Sequence, residues 1–167
     1  MKKLAVLLTA ALLIAVLGCG PSQEQKQMVA DLTTEVTNLV NDTHSSLDKL
    51  DDVSGQVSST LAGADTLARK FPKDTVSITN VVTQLHSAKD RLTSVKENVT
   101  AWIGAYKMPD LDKMKFDEVI SNLKKSKDDL ASATQEINGA LSGATSAIEN
   151  YRKVETELST KVASKKK

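Results

Sequence analysis

Cysteine is almost absent: Cys19 is the only one in 167 residues. No disulfide can therefore form within the chain. Aromatic side chains are nearly as scarce, with one Trp, two Tyr and two Phe. So few large rings argue against a thick globular core and for thin helical packing of Leu, Val, Ile and Ala. Neither sign of charge dominates, since 22 basic residues face 21 acidic ones. A balanced chain has no general electrostatic attraction for nucleic acid, and no nucleic-acid partner is expected. The two histidines, His44 and His86, fall on different predicted helices, outside the apolar rows, and neither has a second histidine at helical ligand spacing. They read as surface residues, not metal ligands. The pairs Asp51–Asp52 and Asp128–Asp129 are adjacent, so their carboxylates point to different sides of a helix. No phosphate-binding glycine loop or nucleophile elbow occurs, and the Gly139-x-x-x-Gly143 pair lies in a polar helix. No catalytic residue and no cofactor are expected, and the chain does not read as an enzyme.

What is present begins with an address. Met1-Lys2-Lys3 is a short positive segment, followed by fourteen residues, Leu4 to Leu17, that are apolar apart from Thr9. A membrane-spanning helix needs about 20 apolar residues, whereas the hydrophobic part of a secretory signal needs about 7–15. The stretch Val16-Leu17-Gly18-Cys19 resembles the lipobox of bacterial lipoproteins, although Leu17 is larger than the usual residue at its place. The resemblance implies acylation of the Cys19 sulfur, with palmitate or a similar chain, and cleavage before Cys19. It makes the membrane a partner through acylated Cys19. Because Gly20 rather than Asp follows the cysteine, it also implies an outer-membrane location. Residues 1–18 then form a signal peptide and 19–27 a lipidated, polar tether. Removing the signal takes Lys2 and Lys3 with it, so 20 basic residues remain beside 21 acidic ones.

From Val29 onward the apolar residues follow a seven-residue repeat. One row is Val29, Val36, Thr43, Leu50, Val57, Ala64 and Phe71; the other is Leu32, Leu39, Ser46, Val53, Thr60 and Leu67. Alternating steps of three and four keep such a stripe on one helix face. Pro72 ends this helix. A second helix carries Ile78, Leu85, Leu92, Val99 and Tyr106 alternating with Val81, Ala88, Val95 and Trp102, with Asp74 or Thr75 as its N-cap. Lys107-Met108-Pro109-Asp110 stops it. A third helix, N-capped by Asp117, carries Leu123, Leu130, Ile137, Ala144, Tyr151 and Leu158 beside Val119, Ser126, Ala133, Ala140, Ala147 and Val154. The expected fold is all-α: an elongated antiparallel three-helix bundle with coiled-coil-like heptad packing, two long helices and one shorter. The helices span about 28–71, 75–106 and 117–162 of a domain covering 28–162, with 163–167 as a basic tail.

The helix lengths raise a question about ends. If straight helices are aligned from their turns, helix three begins level with Asn41, and both long helices overhang the shared bundle. The overhanging residues are apolar: Val29, Leu32, Val36 and Leu39 at one end, and Tyr151, Val154, Leu158 and Val162 at the other. Exposed apolar stripes on a monomer usually mark a partner surface. Three outcomes are open: docking of a second copy or another helical protein; a bend at Gly55, Gly63, Gly139 or Gly143 that folds the overhang back; or fraying. The same alignment sets Gly63, Gly139 with Gly143, and Ala88 at one level, where small residues let three backbones approach. It gathers Trp102, Tyr106, Met108, Met114 and Phe116 at the second turn as an apolar plug.

Ala101-Trp102-Ile103-Gly104-Ala105-Tyr106 and Phe116-Asp117-Glu118-Val119-Ile120 resemble a family of small helical Bacteroidota lipoproteins labelled "viral A-type inclusion protein". That resemblance implies no activity. Tyr151-Arg152-Lys153 is similar to the ending of the major outer-membrane lipoprotein that is joined to peptidoglycan through its terminal lysine, but here it lies sixteen residues from Lys167. The function expected is that of a lipid-anchored helical cell-envelope protein with a structural or protein-interaction role. The alternatives are a tether from outer membrane to peptidoglycan through the C-terminal lysines, and a periplasmic carrier or chaperone for an apolar ligand.

Overall fold

A computed structural model of the chain describes residues 21–110 and 113–164, with side chains described as far as Lys161. Residues 1–18, expected to be a secretory signal, lie outside the described residues, as do Cys19, the side chain of Val162 and the three terminal lysines.

Among the described residues, three α-helices make up the fold: α1 (Gln23–Lys70), α2 (Thr75–Ala105) and α3 (Phe116–Ser164). All three pack against one another, as expected for a three-helix bundle. At 1.5 Å per residue, the 48 residues of α1 and 49 of α3 make rods of about 70–75 Å, and the 31 residues of α2 about 45 Å.

Each helix starts or stops for a local reason. The Ser22 hydroxyl accepts from the Gln25 N–H at 3.1 Å, and the Ser22 N–H donates to the Gln25 side chain at 3.0 Å. This reciprocal box satisfies two otherwise orphaned donors and starts α1 at Gln23, one turn earlier than the apolar rows alone suggest. At its far end the Phe71 N–H closes on Leu67 O at 2.9 Å, and Pro72 forbids continuation. Asp74 occupies the N-cap of α2, but its side chain makes no capping bond. Its carboxylate instead lies 3.5 Å from Lys161 Nζ on α3. Asp117, by contrast, is not the cap of α3: the helix already includes Phe116, and the Asp117 carboxylate is turned toward α1.

The heptad rows are the core. Every member of the Val29–Phe71 row is buried, as is every member of the Leu123–Leu158 row. The second α1 row is shallower, with Leu39, Ser46, Val53 and Thr60 half-buried at its middle. Among the described residues, the polar side chains of Thr43 and Ser126 occupy buried positions. The Thr43 hydroxyl donates to Leu39 O at 2.6 Å, and that of Ser126 to Asn122 O at 2.8 Å, so each bonds within its own helix and leaves no orphaned group.

The relative levels of the helices differ from those expected. α1 and α3 run parallel and nearly flush, as two cross-helix contacts show. Gln25 Nε2 donates to Asp117 Oδ1 at 2.9 Å, and Lys127 Nζ pairs with Glu35 at 2.7 Å. α2 runs antiparallel between them, with Lys96 beside Asp51 and Asn150 donating to Gln84 at 3.0 Å. Taking the Lys96–Asp51 level, Tyr106 reaches down only to about Asn41. α3 nevertheless starts beside Gln25, roughly 24 Å lower. The connection between α2 and α3 is therefore a descending segment, not a tight turn.

Candidate functional site

Descent of that connection decides what becomes of the two apolar ends. At the end nearer Cys19, Val29, Leu32, Val36, Val119, Leu123 and Leu130 form a core cluster of their own. Trp102 from the last turn of α2, Tyr106 at its C-cap, Met108 and Met114 from the connection, and Phe116 at the start of α3 pack onto it. The rings of Trp102 and Tyr106 stack with centroids 5.4 Å apart. The Tyr106 hydroxyl donates to Met108 Sδ at 3.6 Å, and Asn122 Nδ2 to Met114 Sδ at 3.9 Å. The sequence gathered these five residues correctly, but they cover the α1–α3 pair along its length instead of plugging a turn.

The proposed association stripes are corrected accordingly. Val29, Leu32 and Val36 are buried within the chain and Leu39 is half-buried. At the far end, Tyr151 and Leu158 are buried and Val154 is half-buried, because α1, α2 and α3 finish together there. Of the described members none is left as an exposed stripe, and Val162 lies outside the described side chains. The physical reason is the drive to bury these rows: about 25 cal/mol for each Å² of apolar surface favours sliding α3 down beside α1 over leaving both ends bare.

The shared level of small residues is also corrected. Gly63 faces Tyr151, not Gly139: a Cβ built at Gly63 would lie 2.7 Å from the Tyr151 hydroxyl oxygen. Gly139 sits against the Arg91 guanidinium, and Gly55 and Gly143 have open space around them. The Tyr151 hydroxyl donates to Glu155 Oε1 at 3.0 Å. Burial, then that hydrogen bond and the Glu155 charge, push the phenol up to about 12. Sequence reasoning missed this contact; a tyrosine in a core row opposite a glycine was the available signal.

His44 and His86 are both exposed, and no group of three His, Cys, Asp or Glu residues gathers among the described residues. Among the described residues, shallow depressions open to solvent run along Glu24, Met28, Asp31 and Glu35 and along Thr156, Glu157, Thr160 and Lys161. Among the described residues no helix is long and apolar enough to cross a membrane. No family model, no curated protein and no solved structure matches the chain.

Proposed function

We propose that this protein is a lipid-anchored rod of the bacterial cell envelope, held in the outer membrane through acylated Cys19 and serving a structural or protein-interaction role. The observation that carries the reading is Val16-Leu17-Gly18-Cys19, with the chain's one cysteine directly after a segment of signal-peptide length. Two or three acyl chains, each buried methylene contributing about 0.8 kcal/mol, hold firmly. The mechanical arrangement fits such an anchor. Only Gly20 and Pro21 separate Cys19 from the Ser22 capping box, so the anchor joins a helix of about 70 Å almost directly. Force or position at the membrane is then passed to the far tip with little slack.

A tether to peptidoglycan is the second reading, favoured by one separate observation. Because α1 and α3 are parallel, the end of α3 lies at the opposite tip of the rod from Ser22, and Lys165-Lys166-Lys167 follow it.

One experiment tests both. Cells expressing the wild-type chain or Cys19→Ser are fed labelled palmitate and separated into membrane, soluble and cell-wall fractions. Label on the wild type alone, with Cys19→Ser released from the membrane, is the expected result. An unlabelled wild type would overturn the anchor, and a fraction covalently retained on purified walls would select the tether.

A further inference from the structure

The methionines are distributed unevenly, and their placement has chemical content. Beyond Met1 the chain has three: Met28, Met108 and Met114. All three lie toward the Cys19 end of the rod. The larger cluster, which holds the distal core from Leu47 to Leu158, has none among its members. Met28 is exposed on the outer face of α1. Met108 and Met114 are half-buried against the smaller cluster, and each sulfur accepts one hydrogen bond, from Tyr106 and Asn122 respectively.

We propose that Met108 and Met114 form a paired oxidation site, at which a hydroperoxide converts both thioethers to sulfoxides and thereby loosens the Cys19-proximal third of the bundle alone. In each reaction a sulfur lone pair attacks the peroxide oxygen and the O–O bond breaks. Sulfur keeps one oxygen as the sulfoxide, and the other departs as water or an alcohol. Sulfur is oxidised by two electrons and the peroxide is reduced by two. Methionine sulfoxide reductases reverse this change, so the site can cycle.

The geometry explains why oxidation is disruptive here. One lone pair of each sulfur faces its donor, across 3.6 Å to Tyr106 Oη or 3.9 Å to Asn122 Nδ2. Those gaps hold a hydrogen and no further heavy atom, so an oxygen placed there forces the partners apart. Both side chains also pack against the smaller cluster, so a sulfoxide sets a strong dipole beside apolar neighbours. Oxidation therefore weakens the contacts of Met108 and Met114 with the α1–α3 cluster. At this level no second layer compensates, because α2 has ended. The distal core keeps all three helices and no oxidisable sulfur.

The test uses the full chain, purified in detergent and titrated with hydrogen peroxide. Peptide mass spectrometry locates the sulfoxides, and Trp102, the chain's one tryptophan, reports locally through its emission. The expected result is a red shift of Trp102 that follows oxidation of Met108 and Met114, with several-fold faster amide exchange around Val29–Val36 and unchanged exchange around Leu50 and Leu85. Met108→Leu/Met114→Leu conserves volume and is expected to melt near the wild type while losing the response. Met28→Leu keeps it. The proposal is overturned if both sulfoxides form without a change in Trp102, if the double leucine variant still responds, or if peroxide that converts Met28 fully leaves Met108 and Met114 intact.

Discussion

Gln25 on α1 and Asp117 on α3 stand 92 residues apart in the chain and 2.9 Å apart in space. Glu35 and Lys127 have the same separation in sequence and meet at 2.7 Å. Two contacts with one offset define a parallel pair of helices in register over this stretch. That pairing buries both apolar ends, and it makes the connection between α2 and α3 part of the core.

This changes what a charge at either end of the rod does. Leu32 is 8% exposed and Leu158 is 2% exposed within a single chain. Leu32→Asp or Leu158→Asp places an unpartnered carboxylate in a core, which costs several kcal/mol. Thermal unfolding of the full chain should therefore show a clear loss of melting temperature for each. Sedimentation at matched concentrations should show no dissociation of an oligomer as the cause. A variant that melts like the wild type but sediments as a smaller species would restore these residues as an association surface.

Helix existence and the core rows were legible in the sequence because both rest on local periodicity. The Val29–Phe71 row is buried throughout, and the ends marked by Pro72 and Pro109 hold. Helix level was harder to read. The nine residues between Tyr106 and Phe116 can close a turn or, over ten steps of about 3.3 Å each, descend more than 30 Å. Only the competition for apolar cover decides between these. The clue was in view: an uncovered stripe at Val29–Val36, and a connection of similar reach that carries Met108 and Met114 and is flanked by Tyr106 and Phe116. The contact of Gly63 with Tyr151 followed from the same choice of level, so it was lost together with it. Of the anchor, the sequence is the whole argument, since Cys19 lies outside the described residues.

Gly55 and Gly63 offer a comparison within one helix. Both lie inside α1, where alanine is favoured over glycine by about 0.5–1 kcal/mol. Around Gly55 an added Cβ meets nothing, so Gly55→Ala should stabilise by about that amount. At Gly63 the methyl would lie 2.7 Å from the Tyr151 oxygen and must displace a buried ring. Overpacking of this kind costs about 1–3 kcal/mol, so Gly63→Ala should fall below Gly55→Ala by about 1–3 kcal/mol in urea unfolding. Adding Tyr151→Phe, which removes the obstructing hydroxyl, should recover part of the difference. Equal stability of the two alanine variants would show that Tyr151 moves aside freely.

Tyr151 also predicts how the rod responds to alkali. Its burial, its hydrogen bond to Glu155 and the Glu155 charge favour the neutral phenol, pushing its pKa from an ordinary 10.0 to about 12. The folded chain thus holds this proton more tightly than the unfolded chain does. The resulting stabilisation is complete below about pH 10 and is lost as pH rises through about 12. In a Tyr106→Phe background, where Tyr151 is the sole tyrosine, phenolate absorbance of the folded protein should appear only near pH 12. Between pH 10 and 12 that background should lose stability more steeply than the same background with Tyr151→Phe, since phenylalanine has no proton to release. Parallel stability curves for the two, or a phenolate that appears at the ordinary 10.0, would mean that the Tyr151–Glu155 contact does not persist in solution.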